Sequence, residues 1–172
     1  MNRRAGMIAG ISLGAAAMGL GAAWWQRRAG AGSAGNDIWA ASFPRPDGRA
    51  LRLIDFNASP LLLNFWATWC PPCVTELPLL DNFHRDQPAR GWQVVGLAVD
   101  EGPAVAQFLR RHPVSFPIGL AGLEGVEWSH RLGNTTGALP FTVVFDRQSN
   151  PFDRKLGAIT AEHLSAWRKR GG

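Results

Sequence analysis

The feature that most constrains this chain is an apolar strand that leads, through a short loop, into two cysteines at the start of a helix. Leu61–Trp66 (LLLNFW) is a mostly apolar run, which is typical of a strand that is covered on both faces. Cys70 and Cys73 follow it, with two prolines between them. Residues 71–84 predict a helix, and the apolar side chains that share its buried side are Val74, Leu77, Leu80 and Phe83. A proline within this helix, Pro78, should kink it, because proline removes a backbone donor and crowds the preceding turn.

The rest of the chain alternates predicted strands with predicted helices. Strands are predicted over residues 51–54, 92–99, 116–120, 141–146 and 152–156. Helices are predicted over residues 103–111 and 124–132, and Thr160 should cap a last helix that runs to about residue 169. The last two strands are close enough in sequence to pair as a hairpin. This alternation predicts an α/β fold built around one sheet.

Length and cysteine content exclude a small fold that depends on disulfide staples. The chain has 172 residues and two cysteines, which is too few for a disulfide framework. A domain of about 130–150 residues can bury roughly two-thirds of its unfolded surface, so it needs no covalent staple.

The positive charge of the chain is concentrated at its N-terminus. The formal net charge is +5, from 18 Lys and Arg against 13 Asp and Glu. Residues 1–35 hold four arginines and no acidic residue, so the remainder carries 14 basic and 13 acidic side chains. A domain so close to neutral argues against binding to nucleic acid.

Residues 7–25 predict an N-terminal membrane anchor. They contain no charged side chain, and nineteen helical residues span about 28 Å, close to the ~30 Å hydrocarbon core of a bilayer. We therefore predict a signal anchor over residues 1–29, a flexible linker over residues 30–37 and a folded domain over residues 38–172. A signal peptide cleaved near residues 29–31 is the alternative, although the bulky and charged residues before that site suit cleavage poorly.

The two cysteines carry the predicted chemistry. Cysteines three residues apart on a first helical turn lie close enough to bridge, and the positive end of the helix favours a thiolate. The thiolate is the nucleophile of disulfide exchange, so we expect an exposed, attacking Cys70 and a more buried, resolving Cys73. A metal site and a pair of inert core thiols are the alternatives. A closed metal site needs about four ligands, and neither a third cysteine nor a pair of suitably spaced histidines is present in the sequence.

The segment from Asn64 to Cys73 (NFWATWCPPC) resembles the thioredoxin-fold redox proteins, and the TlpA/ResA type most closely. Pro78 and the dipeptide Leu139-Pro140 stand where that family has its helix proline and its cis-proline. The resemblance implies a thioredoxin-like fold, with a central mixed sheet flanked by helices and a strand and helix inserted before the cis-proline loop. It also implies a thiol–disulfide oxidoreductase anchored in the bacterial inner membrane, with its catalytic domain in the periplasm.

Glu76 is a candidate for a third catalytic residue. It lies three positions after Cys73, so helical geometry places both side chains on one face. A half-buried carboxylate there would have a raised pKa, and it could take the proton from Cys73 as that thiol attacks a mixed disulfide. The proteins of the ResA type resemble this chain in having an acid at this position. The alternative is a solvated glutamate on the helix surface.

Five residues near the cysteines are candidates for binding substrate: Trp69, Pro71, Pro72, Leu139 and Pro140. Trp69 should form an apolar rim beside the nucleophile. If the Leu139–Pro140 peptide is cis, Pro140 should face the cysteines and expose the backbone of Leu139 to an extended substrate. The alternative for Pro140 is an ordinary proline at the start of a strand.

The direction of electron flow is predicted from what lies between the cysteines. Pro71 and Pro72 have no backbone N–H to stabilise a Cys70 thiolate, so the dithiol should tend to donate electrons. We expect no cofactor other than the Cys70–Cys73 disulfide. The resemblance implies a membrane reductase of the DsbD/CcdA kind as electron donor, and protein substrates such as the cysteines of apocytochrome c or of the copper site of cytochrome oxidase. A disulfide oxidase or isomerase on the same fold, and a non-enzymatic copper-handling module, remain alternatives.

Overall fold

The computed structural model describes residues 37–87 and 91–171 of the protein. The predicted anchor over residues 1–29 and the predicted linker up to residue 36 lie outside the described residues. Within the ranges that the structure describes, no helix is both long enough and apolar enough to cross a membrane.

The described chain contains seven strands and four α-helices, with two short 3₁₀-helices at Ile38–Ala40 and Leu53–Phe56. The strands, in chain order, are β1 (Ser42–Pro44), β2 (Ala50–Arg52), β3 (Leu61–Trp66), β4 (Gln93–Ala98), β5 (Ile118–Leu120), β6 (Phe141–Phe145) and β7 (Pro151–Leu156). The helices are α1 (Pro71–Arg85), α2 (Gly102–Arg111), α3 (Glu124–Arg131) and α4 (Ala161–Gly171).

Five of the strands form one mixed sheet in the order β5-β4-β3-β6-β7. β3, β4 and β5 run parallel, whereas β6 is antiparallel to β3 and β7 is antiparallel to β6. β1 and β2 form a separate antiparallel pair. The α/β fold with a central mixed sheet, and the hairpin between the last two strands, are therefore confirmed.

The middle strand, β3, is buried along its whole length, as its apolar sequence predicts. Because side chains alternate along a strand, Leu62 and Trp66 join an apolar cluster that also contains both cysteines and residues of α1, α2 and α4. The other side chains of β3, Leu61, Leu63 and Phe65, join a second cluster with the segment around Trp39 and with α3. The sheet thus separates two cores, and the cysteines lie in the first of them.

The structure corrects the predicted elements in two places. The strand predicted over residues 51–54 ends at Arg52, because the chain turns into a 3₁₀-helix at Leu53. The strand predicted over residues 116–120 begins only at Ile118, because Pro117 has no N–H to contribute to the sheet. In addition, the three-residue strand β1 was not predicted, since so short a segment has no readable alternation.

The helices begin and end within two residues of their predicted limits. α1 continues through Pro78 to Arg85. Of the four apolar residues predicted to share the buried side of this helix, Val74 is only half-buried. Thr160 precedes α4 as predicted: its N–H donates to Nδ1 of His163 at 3.1 Å, and its carbonyl accepts from Leu164 at 3.2 Å. β5 and α3 lie between α2 and the cis-proline loop, where the resemblance implies an inserted strand and helix.

Candidate active site

Cys70 and Cys73 form a disulfide at the N-terminal end of α1, with Cα atoms 5.3 Å apart. Cys70 is the N-cap residue of the helix, and Cys73 lies within its first turn. Cys73 is fully buried, and Cys70 is only 5% exposed. The expectation of an exposed Cys70 is therefore wrong for the oxidised protein, because both cysteines belong to the apolar cluster that contains Trp66 and Leu77.

The first turn of α1 offers few free backbone donors. The prolines at positions 71 and 72 have no N–H. The N–H of Cys70 donates to the carbonyl of Ala67 at 3.3 Å, and the N–H of Val74 donates to the carbonyl of Cys70 at 3.1 Å. The N–H of Cys73 is thus the single first-turn donor left to face a thiolate at the helix end.

The carboxylate of Asp100 holds the loop that carries Cys70. Its Oδ2 accepts hydrogen bonds from the backbone N–H of Thr68 at 3.0 Å and from the Thr68 hydroxyl at 2.5 Å. Its Oδ1 accepts from the N–H of Glu101 at 2.7 Å. Because Asp100 lies just beyond β4 and Thr68 lies two residues before Cys70, this carboxylate ties the cysteine loop to the neighbouring strand.

Glu76 lies between the sheet and the segment that precedes α4. Its Oε1 accepts a hydrogen bond from Nδ2 of Asn64 at 2.8 Å, and its Oε2 accepts from the N–H of Ile159 at 2.8 Å. Nδ2 of Asn64 also donates to Oγ1 of Thr142 at 3.0 Å, across the paired strands β3 and β6. Glu76 is only 3% exposed, so it is buried more deeply than expected, and a solvated surface glutamate is excluded.

The surroundings of Glu76 shift the pKa of its carboxyl group upwards. Burial raises the pKa of Glu76, and the hydrogen bonds from Ile159 and Asn64 offset only part of that increase. Both donors are uncharged, and no cation among the described residues pairs with Glu76 to compensate for the loss of solvent. The predicted direction is confirmed, and a carboxyl group in this state can hold or release a proton at a pH closer to that of thiol chemistry.

The Leu139–Pro140 peptide bond is cis. Pro140 is buried, and its carbonyl accepts a hydrogen bond from the N–H of Gly157 at 2.8 Å. Leu139 is half-buried and packs against the cluster that contains both cysteines. Among the described residues, neither the N–H nor the carbonyl of Leu139 has a hydrogen-bond partner, so its backbone is free to bind another chain.

A buried asparagine organises the loop that leads to this cis-proline. Oδ1 of Asn134 accepts from the N–H of Gly137 at 3.0 Å and from the hydroxyl of Thr136 at 3.2 Å. Nδ2 donates to the carbonyl of Ala138 at 2.9 Å and to Oγ of Ser129, on α3, at 3.3 Å. Asn134 therefore ties the loop both to itself and to the inserted helix.

The remaining candidate residues lie on the solvent side of the disulfide. Trp69 is 66% exposed and directly precedes Cys70. Pro71 and Pro72 are also exposed. In the part of the chain that the structure describes, no group of three or more His, Cys, Asp or Glu side chains is placed to hold a metal ion.

The contacts that sequence reasoning missed are those of Glu76. Asn64 could have been found, because it is the one polar residue in the apolar run LLLNFW. Thr142 and the backbone of Ile159 carry no such signal, since they reach Glu76 and Asn64 only through the packing of distant segments.

Glu76 should make the oxidised protein less stable as the pH rises. The pKa of Glu76 in the folded state lies above its unfolded value of about 4.3, so the free energy of unfolding is highest below that pH and falls as pH rises towards the folded pKa. We expect Glu76→Gln to remove this dependence. Its stability advantage over the native protein in denaturant unfolding should be larger at pH 8 than at pH 4.

The matched control is Glu127→Gln, which changes an exposed glutamate on α3. It should show no comparable difference between the two pH values. An advantage of Glu76→Gln that is the same at both pH values would contradict the prediction.

Comparisons with known proteins agree with this geometry. Residues 33–165 match the Redoxin family. The thiol-disulfide oxidoreductase ResA of Bacillus thuringiensis is 26% identical over 125 residues, which cover 72% of this chain and 70% of that protein. A thioredoxin-related protein from Neisseria meningitidis serogroup B shares 31% identity with a TM-score of 0.65, over 73% of this chain and 93% of that one. The structure of MTB DsbF, in mixed oxidised and reduced forms, shares 26% identity with a TM-score of 0.67, over 78% of this chain and 97% of that one.

The matched region contains the cysteine pair, Glu76 and the cis-proline loop, so the similarity covers the whole candidate site. The chain belongs to the Redoxin family, and it is a thioredoxin-like protein thiol–disulfide oxidoreductase of the ResA/TlpA type.

Proposed function

We propose that this oxidoreductase reduces disulfides of protein substrates outside the cytoplasm, with the Cys70–Cys73 pair as its redox group and no other cofactor. The observation that carries the direction is the shortage of backbone donors at the start of α1, where two prolines replace two N–H groups. A strong oxidant owes its potential to a stabilised thiolate in the reduced form. Because the Cys70 thiolate is less stabilised here, the dithiol gives up its electrons more readily.

The reaction proceeds through a mixed disulfide. The Cys70 thiolate attacks one sulfur of the substrate disulfide, and the other substrate sulfur leaves as a thiolate. Cys73 then loses its proton and attacks Sγ of Cys70, so the Cys70–Cys73 bond forms and the second substrate thiolate leaves. Two electrons pass from the dithiol to the substrate, and the oxidised protein must be reduced again by a partner.

We assign to Glu76 the role of proton acceptor for Cys73. Both residues are buried and lie three positions apart on α1. Cys73 has no access to solvent, so its proton needs an internal acceptor. Burial raises the pKa of the Glu76 carboxyl, which brings it closer to the pKa of a thiol and makes it a stronger base.

The substrate binds over the exposed side of the disulfide. Trp69 supplies an apolar contact beside Cys70, with Pro71 and Pro72 next to it. Leu139 supplies a backbone N–H and carbonyl that have no partner in the described part of the chain and can bind an extended substrate segment, and the cis peptide to Pro140 orients them. These contacts recognise a polypeptide backbone and an apolar side chain more than any one sequence.

We propose the bacterial inner membrane as the location, with the domain in the periplasm. The support is the uncharged segment over residues 7–25 and the flanking arginines. An oxidising compartment requires an electron supply, which we assign to a membrane reductase of the DsbD/CcdA kind. The proposed substrates are the cysteines of apocytochrome c or of cytochrome oxidase during their assembly.

We expect a reduction potential below about −220 mV, nearer to that of thioredoxin than to that of a periplasmic oxidant. The physical reason is the poorly stabilised thiolate of Cys70. Equilibrium titration of the soluble domain against dithiothreitol or glutathione measures this value, with Trp69 and Trp66 as possible fluorescence reporters.

Pro71→Ala and Pro72→Ala are the matched variants, because each restores one N–H, and each should raise the potential. A native potential of about −120 mV would instead place the protein with the disulfide oxidases. Stoichiometric copper on the reduced protein without turnover would support the copper-handling alternative.

We expect Cys73→Ala to accumulate substrate as a mixed disulfide on Cys70. Cys70 can still attack, but the resolving thiol is missing. Non-reducing electrophoresis and mass spectrometry of the variant after incubation with a peptide disulfide measure the adduct. Cys70→Ala is the control and should form none; adducts on Cys70→Ala but not on Cys73→Ala would reverse the assignment.

We expect Glu76→Gln to slow resolution of the mixed disulfide by roughly 10–100-fold near neutral pH, at or below the lower end of the usual range for general-base catalysis. Formation of the mixed disulfide should be unaffected, because Cys70 is unchanged. The slowing should fade at high pH, where Cys73 loses its proton unaided. Stopped-flow kinetics with a peptide disulfide measure both steps, and Glu127→Gln is the control. A resolution rate that Glu76→Gln leaves unchanged across pH 6–8 would remove Glu76 from the mechanism.

A further inference from the structure

Asn64 is the one polar side chain of the buried strand β3, and its contacts are unusual. It is 0% exposed. Its Nδ2 donates both to Oε1 of Glu76 and to Oγ1 of Thr142, whereas its Oδ1 has no hydrogen-bond partner in the described chain. A buried polar atom without a partner costs free energy, so its retention needs a reason.

The two protonation states of Glu76 make opposite demands on Asn64. An ionised carboxylate only accepts hydrogen bonds, so it needs the Nδ2 donor. A protonated carboxyl group carries an O–H, so it needs an acceptor at the same place. An asparagine amide offers a donor on one side and an acceptor on the other, and a half-turn about its last side-chain bond exchanges them.

The second neighbour of the amide tolerates this exchange. The Thr142 hydroxyl accepts from Nδ2 in the orientation of the structure, and it can donate to Oδ1 in the reversed one. A leucine or valine at position 64 would satisfy neither state of Glu76, and an aspartate would repel the ionised state.

We propose that Asn64 is a positioning residue, whose side-chain amide holds the Glu76 carboxyl group in place both when that group is ionised and when it carries a proton. The unpaired Oδ1 is then the acceptor for the protonated state. This proposal deepens the role proposed above for Glu76, but the hydrogen-bonding argument itself concerns only the carboxyl group and its neighbours.

The other surroundings of Glu76 leave Asn64 as the adjustable partner. The segment before α4 contributes the N–H of Ile159, which can only donate to Glu76. β6 contributes the neutral Thr142, which is bonded to Asn64 and not to Glu76. Towards the N-terminal end of α1, the nearest titratable groups along the chain are the two cysteines, and in the oxidised protein they do not titrate. No charged side chain in the described residues forms an ion pair with Glu76.

The test is a direct titration of Glu76 in the oxidised protein. Carboxyl ¹³C resonances of glutamate-labelled protein are followed from pH 3 to pH 9, and Glu76→Gln identifies the buried resonance. We expect Asn64→Leu to raise the midpoint of the Glu76 titration by at least about one pH unit. Both protonation states lose a hydrogen bond, but a bond to the ionised carboxylate is stronger than one between neutral groups, so the ionised state loses more. Thr142→Val is the matched control: it removes the other contact of Nδ2 without touching Glu76, and it should move the midpoint much less.

An unchanged midpoint in folded Asn64→Leu would overturn the proposal, as would an equal shift in Thr142→Val. If Asn64→Leu does not fold, Asn64→Asp keeps the shape and places a second carboxyl group at hydrogen-bond distance. That variant should show two coupled midpoints on either side of the native one, and a single unshifted midpoint would again overturn the proposal.

The same variants separate this proposal from the proposed mechanism. If Glu76 accepts the proton of Cys73, the pH profile of mixed-disulfide resolution should move with the Glu76 midpoint in Asn64→Leu. A midpoint that moves while the kinetic profile stays fixed would leave Asn64 as the positioning residue and would remove Glu76 from catalysis.

Discussion

Strand β3 is buried on both faces, and each group of the active site is placed relative to it. Its carboxyl end continues into the loop of Cys70, and its helix-facing side presents Asn64 to Glu76. β6 runs antiparallel beside it and pairs Phe141 with Phe65, so the cis-proline loop, which leads into Phe141, ends beside the carboxyl end of β3. Each large apolar side chain buried here contributes about 1.5–3 kcal/mol, which makes this strand a rigid reference for the chemistry at its end.

Two buried carboxyl groups on α1 show how closely the environment decides their charge. Burial by itself would raise the pKa of Asp81, but hydrogen bonds from the N–H and hydroxyl of Ser115, both at 2.6 Å, and the nearby Arg85 lower it. Glu76 is one and a half turns away and has two neutral donors, and no cation of the described residues pairs with it, so burial prevails and its pKa rises. The same helix thus holds an ionised structural carboxylate and a carboxyl group suited to exchange a proton.

Polar side chains, rather than the sheet itself, set the two loops that meet at the disulfide. Asp100 binds the loop of Cys70 through Thr68, and Asn134 binds the cis-proline loop to the inserted helix α3. Each residue bonds two backbone groups, which fixes the local backbone shape, and each also bonds at least one neighbouring hydroxyl group. The exposed Trp69 and the backbone of Leu139, which has no partner among the described residues, are therefore presented on well-supported loops, as the proposed binding of extended polypeptides requires.

The sequence by itself determined the local parts of this protein. The pattern of apolar residues predicted most strands and helices. The sequence around Cys70 and Cys73 predicted that both cysteines lie at the start of a helix. The spacing from Cys73 to Glu76 predicted that both side chains share one face of α1. These are periodicities over a few residues, so they can be read without knowing what lies opposite. The tertiary structure alone decided that Cys70 is nearly covered and that the chain turns after Arg52. It also decided that Asn64 and Ile159 donate to one carboxyl group, with Thr142 bonded to Asn64. Those hydrogen bonds join residues that are 12, 78 and 83 positions apart, and the loss of solvent that raises the pKa of Glu76 depends on strands and helices packed around it. Burial is a property of the assembled layers, whereas periodicity is a property of the chain.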